Sequence, residues 1–182
     1  EGLAGRVLAS INLKGKKPDL KEWKKLVKQL QQQQKTVPIA IAGKYVDLHD
    51  AYKSIIESFT HAGKENDAQV ALKWIESEEI EKKGASEALK DVCGLLIPGG
   101  FGERGIEGKI EAVAYAREHD IPFFGICLGM QCAVIEFARS QCGLEQANSS
   151  EFEPAAEQPV IDYMPDQLKI THKGGTMRLG AW

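Results

Sequence analysis

Cysteine stands at position 127 of the stretch FFGICLGMQ, residues 123–131, with Gly125 two residues before it and Gly129 two residues after it. A short apolar run precedes the cysteine and a helix-like pattern follows, so Gly-x-Cys-x-Gly falls on a strand-to-helix turn. That is the pattern of a nucleophile elbow with cysteine in place of serine. Glycines on both flanks remove Cβ clashes that would oppose a sharp bend, and the thiol is pushed out above the sheet. The helix N-terminus favours thiolate there, and the N–H of Leu128 points towards a developing oxyanion. A small buried hydrophobe is the plain alternative for Cys127; paired glycines at a strand-to-helix switch weigh against it. Cys93, Cys132 and Cys142 sit in no such turn and are expected to be inert.

A second glycine-rich segment, PGGFGERGIEGK at 98–109, also follows an apolar run. Gly100, Gly102 and Gly105 formally satisfy G-x-G-x-x-G, the phosphate-binding turn of dinucleotide sites. Such a site needs an acid ending the next strand about 20 residues on, and that stretch reads here as helix interior. The favoured reading is that Gly99 and Gly100 let the backbone approach a substrate carbonyl, so that an N–H supplies the second half of an oxyanion hole. Phe101 would flank the substrate's alkyl chain. A plain turn is the alternative.

Composition narrows the classes. The chain has 182 residues, 43% apolar and 27% charged, which suits one soluble globular domain. A net charge of −3 and a pI near 5.9 provide no basic field for nucleic acid. No apolar run approaches the roughly 18 residues that span a bilayer. Four unevenly placed cysteines do not make a disulfide framework, so a cytoplasmic location is expected. His49, His61, His119 and His172 are scattered, and no metal bound by side chains is expected.

These residues need elements to position them. Asp19 and Pro18 open an amphipathic helix carrying Leu20, Trp23, Leu26, Val27 and Leu30 at helical spacing. Strands are predicted at VPIAIAG, AQVALKWIES, VCGLLIPGG and IPFFGI. Helices are predicted at DAYKSIIESFTHAG, EEIEKKGASEALKD, GIEGKIEAVAYAREHD and LGMQCAVIEFARS. Such alternation indicates parallel βαβ units, and hence a doubly wound α/β domain with a mostly parallel sheet and helices on both faces. Ligands in such sheets collect at the carboxyl ends of strands, where both glycine segments lie. The start, EGLAGRVLAS, reads as a cut end without a signal peptide, and GGTMRLGAW stops inside what reads as a strand. The expectation is a piece of a longer chain.

LLIPGGFGERGIEGKIEA, PFFGICLGMQ, NSSEF, GKYVDLHDAYKSIIE and GGTMRLGAW together resemble the glutaminase domain of the CTP synthase family, class I, triad-type glutamine amidotransferases. The resemblance covers nearly the whole chain. It implies a flavodoxin-like domain over 18–182, incomplete at its C-terminal end, with residues 1–17 a linker from an amidoligase domain. It also implies hydrolysis of L-glutamine through a cysteine thioester, supplying ammonia for ATP- and Mg-dependent amination of UTP in that other domain, with GTP as activator. By the resemblance, Cys127 is the nucleophile and Gly100 and Leu128 supply the oxyanion N–H groups. Gln131 and the backbone of Leu128, Gly129 and Met130 would hold glutamine, Glu151 would bind its α-amino group, and GERGIEGK would belong to a mobile lid. A homo-oligomer is implied for the parent enzyme. No cofactor is expected in this domain. The triad His and Glu would lie downstream of GGTMRLG, because His172 is followed by Lys173 and Gly174 rather than by an acid two residues on. A non-catalytic glutamine-binding or interaction fragment is the alternative function.

Overall fold

The computed structural model describes residues 2–31, 35–44, 46 and 49–164; the expected strand in GGTMRLG and His172 lie outside them. Four strands, β1 (Lys35–Gly43), β2 (Ala68–Glu76), β3 (Leu95–Ile97) and β4 (Phe123–Gly125), form one sheet in the order β2-β1-β3-β4. Every pairing is parallel. The helices are α1 (Leu3–Ser10), α2 (Lys21–Gln31), α3 (Lys53–Glu65), α4 (Ser77–Lys83), α5 (Ala85–Ala88), α6 (Ile106–Glu118) and α7 (Leu128–Gln141), with a 3₁₀ turn at His49–Tyr52.

Strand position explains strand composition. β1 is central, and Ala40, Ile41 and Ala42 are all fully buried without alternation, as a strand covered on both faces requires. β2 is an edge strand and alternates half-buried with exposed residues. The chain runs outward from β1 to β2, then crosses back to β3 and on to β4. Right-handed crossovers therefore place α3 on one face and α4 and α6 on the other, a doubly wound α/β arrangement. One apolar core joins Ala40, Ile75, Ile80, Leu89, Leu95, Ile97 and Val113. A second joins α6 and α7 through Ile106, Ile110, Leu128, Cys132 and Ile135, and includes Phe152.

Two arginines brace α6 against α7. Arg117 donates from Nε and Nη2 to Glu136 Oε1 at 3.0 and 2.9 Å, and Glu136 is almost wholly buried. This bond raises the Arg117 pKa further above its ordinary value. Arg139 grips Glu107 with two bonds of 2.8 and 3.1 Å.

The structure departs from the sequence reading in two places and adds detail in two others. The segment read as one helix after β2 breaks at Gly84, whose φ of 85° suits glycine and divides α4 from α5. Residues 106–109, which the resemblance groups with a lid, form the first turn of α6, the helix that the pattern from Gly105 predicts, and Ile106 and Lys109 are buried. Within 1–17, Leu3–Ser10 form α1, which has no buried residue. A small second sheet, β5 (Ala147–Ser149) parallel to β6 (Gln158–Ile161), had no sequence signal beyond its shortness.

Candidate active site

Cys127 is the residue that turns the chain from β4 into α7. Its φ of 50° and ψ of −104° are rare for a side-chain-bearing residue, and such a conformation costs on the order of 1–3 kcal/mol. Three backbone bonds hold it: Ile126 N–H to the Ile97 carbonyl at 2.9 Å, Gly129 N–H to the Ile126 carbonyl at 2.9 Å, and Gln131 N–H to the Cys127 carbonyl at 3.0 Å. The flanking glycines serve close approach rather than unusual dihedrals. A Cβ on Gly125 would lie 2.5 Å from the carbonyl carbon of Gly129, and one on Gly129 would lie 2.1 Å from the Ile97 carbonyl oxygen. Neither glycine has positive φ; the strain rests on the cysteine itself. The thiol is exposed, at the N-terminus of a 14-residue helix.

The loop after β3 abuts this turn. A Cβ on Gly99 would lie 3.6 Å from Cys127 Cβ, and one on Gly100 would lie 3.2 Å from Leu128 Cδ2. A cavity of about 30 Å³, near the volume of one water, opens beside Gly99, Gly100 and Leu128 and is also lined by Lys44, Tyr52 and Lys109. It lies where β1 and β3 send the chain in opposite directions, the point at which α/β sheets collect ligands. The Leu128 N–H has no hydrogen-bond partner among the described residues, as expected for a first-turn donor. Phe101 and Met130 stand at the surface here, 70% and 51% exposed. Gly102 and Gly105 take φ of 83° and 72°, and a Cβ on Gly105 would meet Ser77 Cβ at 2.8 Å. Turning and helix packing thus account for the glycine pattern without a nucleotide.

Sequence reasoning passed over Lys44, Tyr52 and Lys109. Lys109 is 2% exposed, and its ammonium donates to the Gly105 carbonyl at 3.1 Å. Burial holds its pKa below the usual lysine value. Burial also pushes the Cys132 thiol up to about 11, with the charge of Lys109 acting in the opposite direction. Cys132 is therefore a protonated, packed side chain, whereas Cys93 and Cys142 are exposed.

The remaining expected residues are placed as follows. Leu128 and Gly129 are buried in the first turn of α7, and Gln131, one step further, is 7% exposed. Glu151 is half-buried in the turn after β5, with its N–H donating to Ser149 Oγ at 3.2 Å. Its link to the elbow runs through its neighbour Phe152, which shares an apolar cluster with Leu128. No ion pair to Glu151 occurs among the described residues. His49 stacks on Trp74 at 4.7 Å and His119 on Tyr115 at 3.9 Å; no described histidine hydrogen-bonds Cys127. Among the described residues no group of three His, Cys, Asp or Glu is placed to hold a metal.

An exposed, strained cysteine at a helix N-terminus beside a glycine loop can attack an acyl carbon and receive its oxyanion. Residues 47–181 match the family model for Glutamine amidotransferase class-I. The chain is 53% identical over 181 residues to a CTP synthase of Chloroflexus aurantiacus and 54% identical over 182 residues to one of Clostridium acetobutylicum. The whole chain is aligned in both cases, and it spans about a third of the relatives' length, 33% and 34%. The glutaminase domain of Trypanosoma brucei CTPS, solved with bound acivicin, superposes with a TM-score of 0.66 at 39% identity, over 72% of this chain and 51% of that one. With most of its length inside the family match and its fold shared with that domain, the chain belongs to the class-I glutamine amidotransferase family.

Proposed function

We propose that this chain is the glutamine-hydrolysing part of a CTP synthase, with Cys127 as nucleophile. The observation that carries the reading is the backbone of Cys127, held at φ 50° above the sheet at the N-terminus of α7 and against the Gly99–Gly100 loop. The thiolate sulfur attacks the side-chain amide carbon of glutamine. The oxyanion that forms is met by the N–H groups of Leu128 and Gly100. Collapse breaks the C–N bond; ammonia leaves with a proton from a general acid, and water then cleaves the thioester to glutamate. Glu151 takes the substrate's α-ammonium, while Gln131 and the Leu128–Met130 backbone hold the chain of the amino acid. Phe101 flanks it.

The ammonia passes to an amidoligase domain of the same enzyme, where ATP, Mg and UTP bind; GTP acts as activator and the parent is a homo-oligomer. A further domain in the same enzyme is supported by the chain spanning about a third of its relatives' length and by its likeness to a CTPS glutaminase domain. No described histidine is bonded to Cys127, and the resemblance puts the base downstream of GGTMRLG.

Acivicin, an α-amino acid with an electrophilic ring, tests the nucleophile. Peptide mapping after brief exposure of the folded chain is expected to find Cys127 modified before Cys93 or Cys142, and Cys132 unmodified. First modification at Cys93 or Cys142 would overturn the assignment.

A further inference from the structure

We infer that Ser149 is a positioning residue for Glu151, setting the carboxylate that receives the substrate's α-ammonium; the inference rests on the function proposed above. Ser149 ends β5 and is 1% exposed, among the most completely buried side chains of the molecule. Burying a hydroxyl is costly unless it is bonded, and this one accepts the N–H of Glu151 at 3.2 Å. The carbonyl of the same residue accepts Phe152 N–H at 3.0 Å and Glu153 N–H at 2.9 Å. Three consecutive amides, those of Glu151, Phe152 and Glu153, are therefore gathered onto one serine.

The turn is anchored on both sides of the acid. Ser150 donates its N–H to the Ile161 carbonyl at 3.0 Å and its hydroxyl to Asp162 Oδ1 at 2.6 Å, tying the turn to β6. Phe152 is buried in the cluster that contains Leu128, the residue after Cys127. Glu151 thus lies between a strand anchor and an apolar anchor that reaches the elbow, with its own backbone held by Ser149. Truncating Ser149 releases the Glu151 amide while both outer anchors persist. The expected consequence is a misplaced carboxylate in an otherwise intact fold, and so a defect confined to ligands that carry an α-ammonium.

The 182-residue chain is labelled with acivicin and, separately, with iodoacetamide, which has no α-ammonium, for the wild type, Ser149→Ala, Glu151→Gln and the double variant. Ser150→Ala, which loses only the hydroxyl bond to Asp162, is carried alongside, and thermal unfolding is recorded for all. Loss of one hydrogen bond predicts a fall of about tenfold in the acivicin rate at Cys127 for Ser149→Ala. The iodoacetamide rate should be unchanged, and the double variant should be no slower than Glu151→Gln alone. An unchanged acivicin rate in Ser149→Ala overturns the inference, as does an equal loss towards both reagents or additivity with Glu151→Gln. Should Ser149→Ala not fold, Ser149→Gly, which likewise removes the hydroxyl that accepts the Glu151 N–H, takes its place, and an unchanged acivicin rate there overturns the inference. If Glu151→Gln alone labels like wild type, the ammonium-binding role of Glu151 fails and the inference falls with it. If Glu151→Gln is slow and Ser149→Ala is not, only the positioning role fails.

Discussion

Gly100 and Lys109 line the same small cavity and carry opposite expectations. A Cβ on Gly100 meets only the flexible end of Leu128, at 3.2 Å, so Gly100→Ala should change the denaturation midpoint little. In a full-length enzyme carrying this chain it should still slow glutamine turnover, by up to the roughly hundredfold that losing one oxyanion donor costs, because on the proposed function the added methyl crowds the oxyanion position beside the retained N–H. Unchanged glutamine-dependent turnover would sink that role. Lys109 is a buried ammonium whose folded pKa lies below its ordinary value of 10.5. Below the folded pKa both states carry the proton and the burial penalty is full; between the folded value and 10.5 the unfolded chain binds more protons, so stability rises with pH. Lys109→Met, of similar length and uncharged, should therefore be more stable by about 1 kcal/mol at neutral pH. Urea titrations at stepped pH should show that gap closing as pH approaches 10.5; a constant gap would mean the ammonium is not penalised.

Helix α7 carries the elbow, and its placement depends on contact between backbones. Gly129 approaches the Ile97 carbonyl so closely that a Cβ would stand 2.1 Å from its oxygen, and no rotamer change can relieve a clash with a strand backbone. Gly129→Ala should cost more than about 3 kcal/mol and move the Cys127 turn with it. Chemical denaturation and acivicin labelling should fail together; a stable Gly129→Ala protein that labels normally would show that α7 can shift without consequence. The far end of the helix is secured differently, by the Arg117–Glu136 and Arg139–Glu107 pairs. The glycine contacts thus fix one end of the helix against β3 and the ion pairs fix the other against α6.

On the proposed function, the chemistry at the scale of the whole molecule needs a general acid that no described residue supplies to Cys127. On that function the chain supplies a nucleophile, an oxyanion loop and an acid, while its described histidines stack on Trp74 and Tyr115 or are not bonded to the thiol. The 182-residue chain alone is accordingly expected to release no measurable ammonia from glutamine, since helix-end stabilisation of a thiolate cannot deliver a proton to the leaving group. A full-length enzyme should hydrolyse glutamine, and its Cys127→Ala variant should lose glutamine-dependent CTP formation yet keep formation from ammonium salt. Ammonia release by the isolated chain, or loss of both nitrogen sources in Cys127→Ala, would contradict these expectations.

Much of this was legible in the residues alone because the signals are local. Apolar runs and helical periodicity located the four strands of the main sheet, and glycines at 125 and 129 around Cys127 marked the elbow. Local pattern did not reveal which residue carries the strained dihedral; the glycines were read as the turn's freedom, whereas close backbone approach demands them, Gly125 against Gly129 and Gly129 against Ile97, and leaves positive φ to Cys127. Nor could it reveal that Lys109 is buried, that Ser149 gathers the Glu151 turn, or that Phe152 ties that turn to Leu128. β5 and β6 are too short for periodicity to register, at three and four residues. These features arise where segments distant in sequence meet. Composition and spacing determine what each segment can form, but burial, close backbone approach and the company a charge keeps depend on which other segment lies against it.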